Sequence, residues 1–295
     1  MIMRRNVLML IGMLIACTAS ARKALVVIAH GAPDSSWNAP VLALQQKLQK
    51  VNIPGIDYRR VALMEFAHPN ITDVVADCER QGIDTVFAMP LFMAPSGHSD
   101  DDVPNILGIR YNPATRKSLA EEGAKTVRSD MHFIEGPTLY EGDVVEKAMF
   151  ARIKEMSKDP RNEAVVLLAH GDPYRIGFWN SLLARTRDYV KQQTGIDFFE
   201  ARLIAMGQYF DKDVKPLLEK AAKTKRRILV QGLYLMSSTS DMAKMFNMDQ
   251  KAYMESLGAE VIYGKVGVLP ESSDLVVTWI TETTRGWLAT LNSVH

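Results

Sequence analysis

The sequence predicts an α/β protein made of two similar lobes, each a parallel sheet flanked by helices, with one lobe an internal duplicate of the other. Three observations predict this. Apolar runs of strand length alternate with longer amphipathic stretches from Lys23 onward, the pattern of parallel strands linked by helices. The two halves carry matched segments in the same order. A chain of 295 residues that is 47% hydrophobic and 23% charged has globular composition, with enough length for one large core or two modest ones.

The first residues are a different material. Arg4 and Arg5 are followed by an apolar run over 7–16, too short to span a bilayer as an anchor and patterned as a signal peptide, here residues 1–21. Its end fits two processing routes. Leu14, Ile15, Ala16 and Cys17 form a bacterial lipobox, whereas Ala19, Ser20 and Ala21 fit ordinary signal peptidase. The lipobox is the favoured route, giving a lipid anchor through Cys17 and an exported protein, periplasmic or membrane-anchored.

From residue 22 the elements follow in order. Strands are predicted over 24–29 and 85–92, with helices over 40–51 and 71–81. Cys78, in the second of these helices, reads as a small buried hydrophobe. As the only cysteine after Cys17, it excludes an internal disulfide and a cysteine-based zinc site. The stretch 105–125, rich in Arg, Asn, Pro and Gly, reads as a loop or short-helix excursion, and 156–162 as the linker. Strands over 165–169 and 227–235, and helices over 179–193 and 214–223, complete a second lobe. The lobes are thus assigned to 22–155 and 163–295.

The duplication is explicit at three places. Val26 to Gly31 answers Val166 to Gly171. Trp37 and Asn38 answer Trp179 and Asn180 after a two-residue insertion, and Leu91, Phe92 and Met93 answer Leu233, Tyr234 and Leu235. Two such units facing each other put strand C-termini, where open α/β sheets bind ligands, at one mouth. Charge adds an exclusion: 35 Lys plus Arg against 34 Asp plus Glu give a net +1, so no basic field exists to hold nucleic acid.

His30 follows a strand and precedes Gly31; His98 follows Pro95, Ser96 and Gly97 and precedes Ser99 and three aspartates. Glu65 interrupts an apolar run that reads as a strand and its exit. A carboxylate in such a place is paired, water-facing, or functional with a raised pKa. Two imidazoles and a carboxylate suit a borderline divalent ion with open coordination positions. His68 reads as surface or as an outer partner of the Glu65 segment, His132 as structural, and terminal His295 as disordered.

Strand-His30-Gly31, then residues 64–71 (MEFAHPNI), then residues 89–104 (MPLFMAPSGHSDDDVP) resemble the CbiX/SirB family in order and spacing. The resemblance is close over the first half and loose over the second. It implies a two-lobed chelatase-like fold that holds a tetrapyrrole between lobes, with His30 and His98 binding the metal and Glu65 helping to remove pyrrole protons. The implied reaction is insertion of a divalent metal, cobalt first and iron or nickel as alternatives, into sirohydrochlorin in cobalamin or tetrapyrrole biosynthesis. Carboxylate and imidazole suit the chemistry, since two N–H protons leave while metal ligands are exchanged. Met64, Met89 and Met93 read as core fillers or as walls for the ring. Arg59, Arg60, Arg110 and Arg116 read as solvated surface or as partners for its carboxylates. In the second lobe His170 keeps the first histidine's place, but Ser240 falls opposite His98 and Gly207 opposite Glu65. A second reading is an exported haem or metallo-tetrapyrrole binding protein that uses the same cleft, with His30 or His98 as axial ligand.

Overall fold

The computed structural model describes residues 21–204, 210–269 and 271–293. The expectations for the amino-terminal segment, Cys17, Gly207 and His295 fall outside those residues. Among the described residues no helix is long and apolar enough to cross a membrane.

The first half runs β1 (Lys23–Ala29), α1 (Ser35–Lys50), β2 (Tyr58–Leu63), α2 (Ile71–Arg80) and β3 (Thr85–Pro90). A π-helical turn, His98–Asp102, leads into α3 (Val103–Ile106), α4 (Pro113–Glu121), β4 (His132–Glu135) and α5 (Val144–Met156). The second half runs β5 (Glu163–Ala169), α6 (Ile176–Thr194), β6 (Phe198–Leu203), α7 (Phe210–Ala222) and β7 (Arg227–Leu233). It ends with α8 (Thr239–Met245), α9 (Lys251–Ser256), β8 (Glu260–Tyr263) and α10 (Ser273–Ser293). The excursion expected over 105–125 holds α4 and the end of α3.

Each half forms a four-stranded parallel sheet, ordered β2-β1-β3-β4 and β6-β5-β7-β8. The central strands are apolar beyond their first residues, except for Gln231 in β7, because both their faces are covered. Leu25, Val27 and Ala29 of β1 face one core, and Ala24, Val26 and Ile28 face another. In β5, Val165, Leu167 and Ala169 join that same first core, while Ala164, Val166 and Leu168 face a third.

The shared core is therefore central. It is filled by α1, α5, α6 and α10, each contributing apolar residues such as Leu44, Ala148, Leu182 and Ile280. Helices α2, α3 and α4 cover the outer face of the first sheet, and α7, α8 and α9 that of the second. The result is five layers: helix, sheet, helix, sheet, helix.

The halves also exchange their last helices. Helix α5 lies against α6 and β7, and α10 lies against α1. There Trp287 stacks on Phe87 of β3 with ring centroids 4.5 Å apart, and Trp279 Nε1 donates to the Glu141 carbonyl at 2.6 Å. The lobe assignment of 22–155 and 163–295 separates the two sheets, but each half contributes a helix to the other.

Candidate active site

The three candidate residues meet at the strand ends of the first sheet. His30 follows β1 and Glu65 follows β2, beside it in the sheet; His98 opens the π-helical turn beyond β3. Local sequence explains their placement. The Met64 N–H donates to the Ala29 carbonyl, and the Leu63 N–H to that of Pro69, so β2 ends in a tight loop closed on itself. Phe66 turns that loop with a φ of 63°. Asn70 then caps α2, accepting from the Asp73 N–H at 2.9 Å, while the Asp73 carboxylate takes the Asn70 N–H at 2.9 Å. This reciprocal capping box fixes where the loop returns. Gly31 is required by the same packing, because a Cβ there would stand 1.8 Å from the Glu65 carbonyl oxygen.

The His30 and His98 rings lie 4.9 Å apart, edge to face. His98 Nδ1 meets the Asp102 carboxylate at 2.7 Å. A carboxylate on Nδ1 sets the tautomer and orients the other nitrogen, Nε2, for a metal. His30 Nε2 meets Glu65 Oε1 at 2.8 Å, and its Nδ1 donates to the Gly31 carbonyl. Both nitrogens of His30 thus face acceptors, as suits an imidazolium paired with a carboxylate. Burial works against charge on His30, but the Glu65 hydrogen bond and charge outweigh it and raise its pKa. For Glu65 burial acts upward, and the contacts with His30 and Glu122 overcome it to hold the carboxyl below its usual range. Glu65 is therefore paired rather than water-facing, and its pKa is lowered rather than raised.

Glu122, just beyond α4, was not singled out in the sequence. Its carboxyl hydrogen-bonds to Glu65, and this contact, with burial and the Glu65 charge, pushes its pKa up to about 7. Glu65 and Glu122 also line a second cavity of about 240 Å³, which includes His68. His68 itself is largely exposed and pairs with Asp73 at 2.5 Å.

His30 and His98 open onto a cavity of about 320 Å³ between the two sheets, whose second-half wall includes His170 and Asp172. His170 repeats the first histidine closely: its Nδ1 meets the Gly171 carbonyl at 2.5 Å, and its ring lies 6.3 Å from Trp179, as His30 lies 6.0 Å from Trp37. Of the three methionines, Met93 lines this cavity, whereas Met64 and Met89 are core. The four arginines are elsewhere: Arg60 pairs with Asp77 and Arg110 with Asp101. Arg59 donates to the Val51 carbonyl and Arg116 to that of Arg110.

The second half lacks the other two groups. Leu91 and Leu233 occupy equivalent positions beside β1 and β5, and counting on puts Ser240 opposite His98. The match for Glu65 shifts, however. Leu63 pairs with Ala29 and Leu203 with Ala169, and the N–H groups of Met64 and Ile204 bond to those same carbonyls. The chain position after Ile204 is Ala205 rather than Gly207. Neither residue is acidic. Among the described residues no group of three or more His, Cys, Asp or Glu side chains is placed to hold a metal ion; the arrangement is two neighbouring imidazoles with a carboxylate paired to one of them.

A two-lobed parallel α/β cleft with imidazoles and a carboxylate at the strand ends of its first sheet is similar in arrangement to known proteins. Residues 24–156 match the CbiX family model. The sirohydrochlorin cobaltochelatase of Methanococcus maripaludis is 33% identical over 87 residues, which are 30% of this chain and 59% of that protein. That of Methanocaldococcus jannaschii is 30% identical over 88 residues, again 30% and 59%. The match thus spans about 59% of these relatives' length. Among solved structures, SirB from Bacillus subtilis with Fe3+ superposes with a TM-score of 0.65 at 15% identity, covering 89% of this chain and 95% of SirB. SirB from Bacillus subtilis subspecies spizizenii in complex with cobalt gives 0.62 at 13% identity, with the same coverage. These likenesses extend the fold across both halves.

Proposed function

We propose that this protein inserts a divalent metal ion, cobalt first, into sirohydrochlorin. The observation that carries the reading is the meeting of His30 and His98 at 4.9 Å on one cavity, with Glu65 held 2.8 Å from His30 Nε2. The naming of the matched relatives as sirohydrochlorin cobaltochelatases favours cobalt.

Insertion exchanges one dication for two pyrrole protons. His98, with Asp102 on Nδ1, offers Nε2 to the incoming ion. His30 offers its own Nε2 once the proton it shares with Glu65 has passed to solvent, which leaves Glu65 a free carboxylate. Borderline ions accept imidazole, and two neutral ligands release the ion to four ring nitrogens more readily than a closed cage would. As the ion leaves His30, that imidazole can take one ring proton and pass it to Glu65 buried behind it, while the second proton leaves to solvent. The cavity, at about 320 Å³, is at the small end of the range of roughly 300–1,000 Å³ found for ligand sites.

Anaerobic absorbance of the protein with sirohydrochlorin and Co2+ tests this. Metal-dependent spectral conversion is expected, and it is lost in His30→Ala/His98→Ala; conversion that persists in that variant sinks the site. His170 on the opposite wall favours a second reading, capture of haem or another finished metallo-tetrapyrrole. Glu65→Gln separates the two, because it abolishes insertion but leaves ring binding intact. Export through the amino-terminal segment belongs to the same proposal, and the mass of the mature amino terminus checks it: a lipid-modified Cys17 is expected.

A further inference from the structure

We infer that Asp172 and Arg175, supplied by the second half, are positioning residues that brace the loop carrying His98; the inference rests on the metal site proposed above. His98 begins a π-helical turn and follows Gly97, a combination with little rigidity of its own. The residues on either side of it are held from across the cleft. The Gly97 N–H donates to Asp172 Oδ2 at 3.0 Å. Two residues past His98, Asp100 Oδ2 accepts from Arg175 Nε at 2.5 Å.

Both ends of this brace are themselves anchored. Asp172 Oδ1 accepts the N–H groups of Tyr174 at 2.8 Å and Arg175 at 3.1 Å, so its loop is folded onto its own carboxylate. Asp100 Oδ1 accepts from Ser99 Oγ at 2.8 Å, and Ser99 Oγ in turn takes the Ser96 N–H at 2.9 Å. Arg110 holds the far side through the Asp100 carbonyl and the Asp101 carboxylate. His98 therefore sits on a short segment tied at both flanks to the other half, with Asp102 locking its ring from below.

The duplication shows why these residues belong to the second half alone. The loop between His170 and Trp179 is two residues longer than that between His30 and Trp37. Counting from the paired strand ends, the first half has Ala32 where the second has Asp172. The copy that lost the carboxylate and the second histidine carries instead the longer loop that reaches over and grips the intact site.

The test is cobalt affinity of the full-length protein without any tetrapyrrole, read by the Co2+ absorption spectrum, beside thermal unfolding. Wild type and His98→Ala set the two limits. Asp172→Ala/Arg175→Gln is expected to weaken cobalt binding about 10- to 100-fold, the range for partners that orient a metal ligand, and to change the spectrum while the unfolding temperature stays within a few degrees. Asp172→Asn keeps one of the two oxygens that accept from Gly97 and from Tyr174 and Arg175, and with Arg175 intact it is expected to recover part of the affinity; an Asn variant as weak as the double variant overturns the hydrogen-bonding role. Wild-type affinity and spectrum in the double variant overturn the brace while leaving the site in place. If His98→Ala binds cobalt as well as wild type, the site itself fails and the brace with it. Wild-type cobalt binding through His98 without insertion of the metal into sirohydrochlorin removes the proposed reaction and leaves the brace standing.

Discussion

Glu65 and Glu122 shift each other in opposite directions: contact with Glu65 pushes the Glu122 carboxyl up to about 7, while contacts with His30 and Glu122 hold the Glu65 carboxyl below the usual range. The signs differ between the two residues. A raised folded pKa, as on Glu122, contributes stability that is complete below the unfolded value of 4.5 and is lost as pH rises through about 7. The lowered pKa of Glu65 contributes stability that is present above its unfolded value and lost in acid. Denaturant midpoints at pH 5 and pH 8 should therefore show wild type losing stability relative to Glu122→Gln on going to pH 8; a constant difference would dissolve the pair. Gly31 gives a second expectation at this scale. With a Cβ 1.8 Å from the Glu65 carbonyl oxygen, Gly31→Ala should cost about 1–3 kcal/mol or more by overpacking. Gly97→Ala, whose Cβ meets nothing within 4 Å, should stay within about 0.5 kcal/mol. Urea unfolding of both variants checks the contrast. Such residues differ in how legible they are in sequence. His30, Glu65 and His98 stand out because each breaks an apolar run or follows one beside glycine. Glu122 lies in a polar stretch around α4 that reads as solvated surface, and only the fold of that stretch brings it to Glu65.

Among the elements, legibility followed burial. The strands β1, β3, β5 and β7 are central in their sheets and covered on both faces, so beyond their first residues they show as apolar runs, broken only by Gln231 in β7. The edge strands β4 and β8 have four residues each, and β6 alternates Phe199 and Ala201, packed on the central core, with Glu200 and Arg202. Neither pattern stands out from a loop. The same edges explain the misplaced counterpart of Glu65: the register through β3 and β7 does not hold at β2 and β6, because the second half has two residues fewer between Trp179 and Leu203 than the first has between Trp37 and Leu63, and regains them before Leu233. The loop from β2 into α2 is the element on which the site depends most, since it presents Glu65 and is closed by the Asn70–Asp73 capping box. Asn70→Ala should lose about 1 kcal/mol of stability, the usual cost of an N-cap, and should also slow metal insertion, because the return of the loop is what holds Glu65 against His30. Insertion at the wild-type rate in a measurably destabilised Asn70→Ala would separate cap from site.

At the scale of the whole molecule, the duplicated sequence suggests two lobes side by side, whereas the packing makes one body with a common centre. The inner faces of both sheets and four helices share a single core, and each half lends its final helix to the other: α5 to the second sheet, α10 to the first. The sequence repeat could not reveal this, because it records which segments are alike and not which sheet a terminal helix chooses. The exchange has a physical consequence. A chain ending after α5 lacks α10, and so leaves Phe87 without Trp287 and the inner side of α1 without its cover; its own α5 has no β7 to pack on. Exposed apolar surface of that kind is buried by self-association. Residues 22–156 expressed alone should therefore form dimers or aggregates, and a compact monomer with a cooperative unfolding transition, seen by light scattering and calorimetry, would refute the shared core. Residues 157–295 added to that fragment should return it to a 1:1 complex of the intact protein's size. Metal binding through His98 should reappear with the complex, since Asp172 and Arg175 then arrive with the second half.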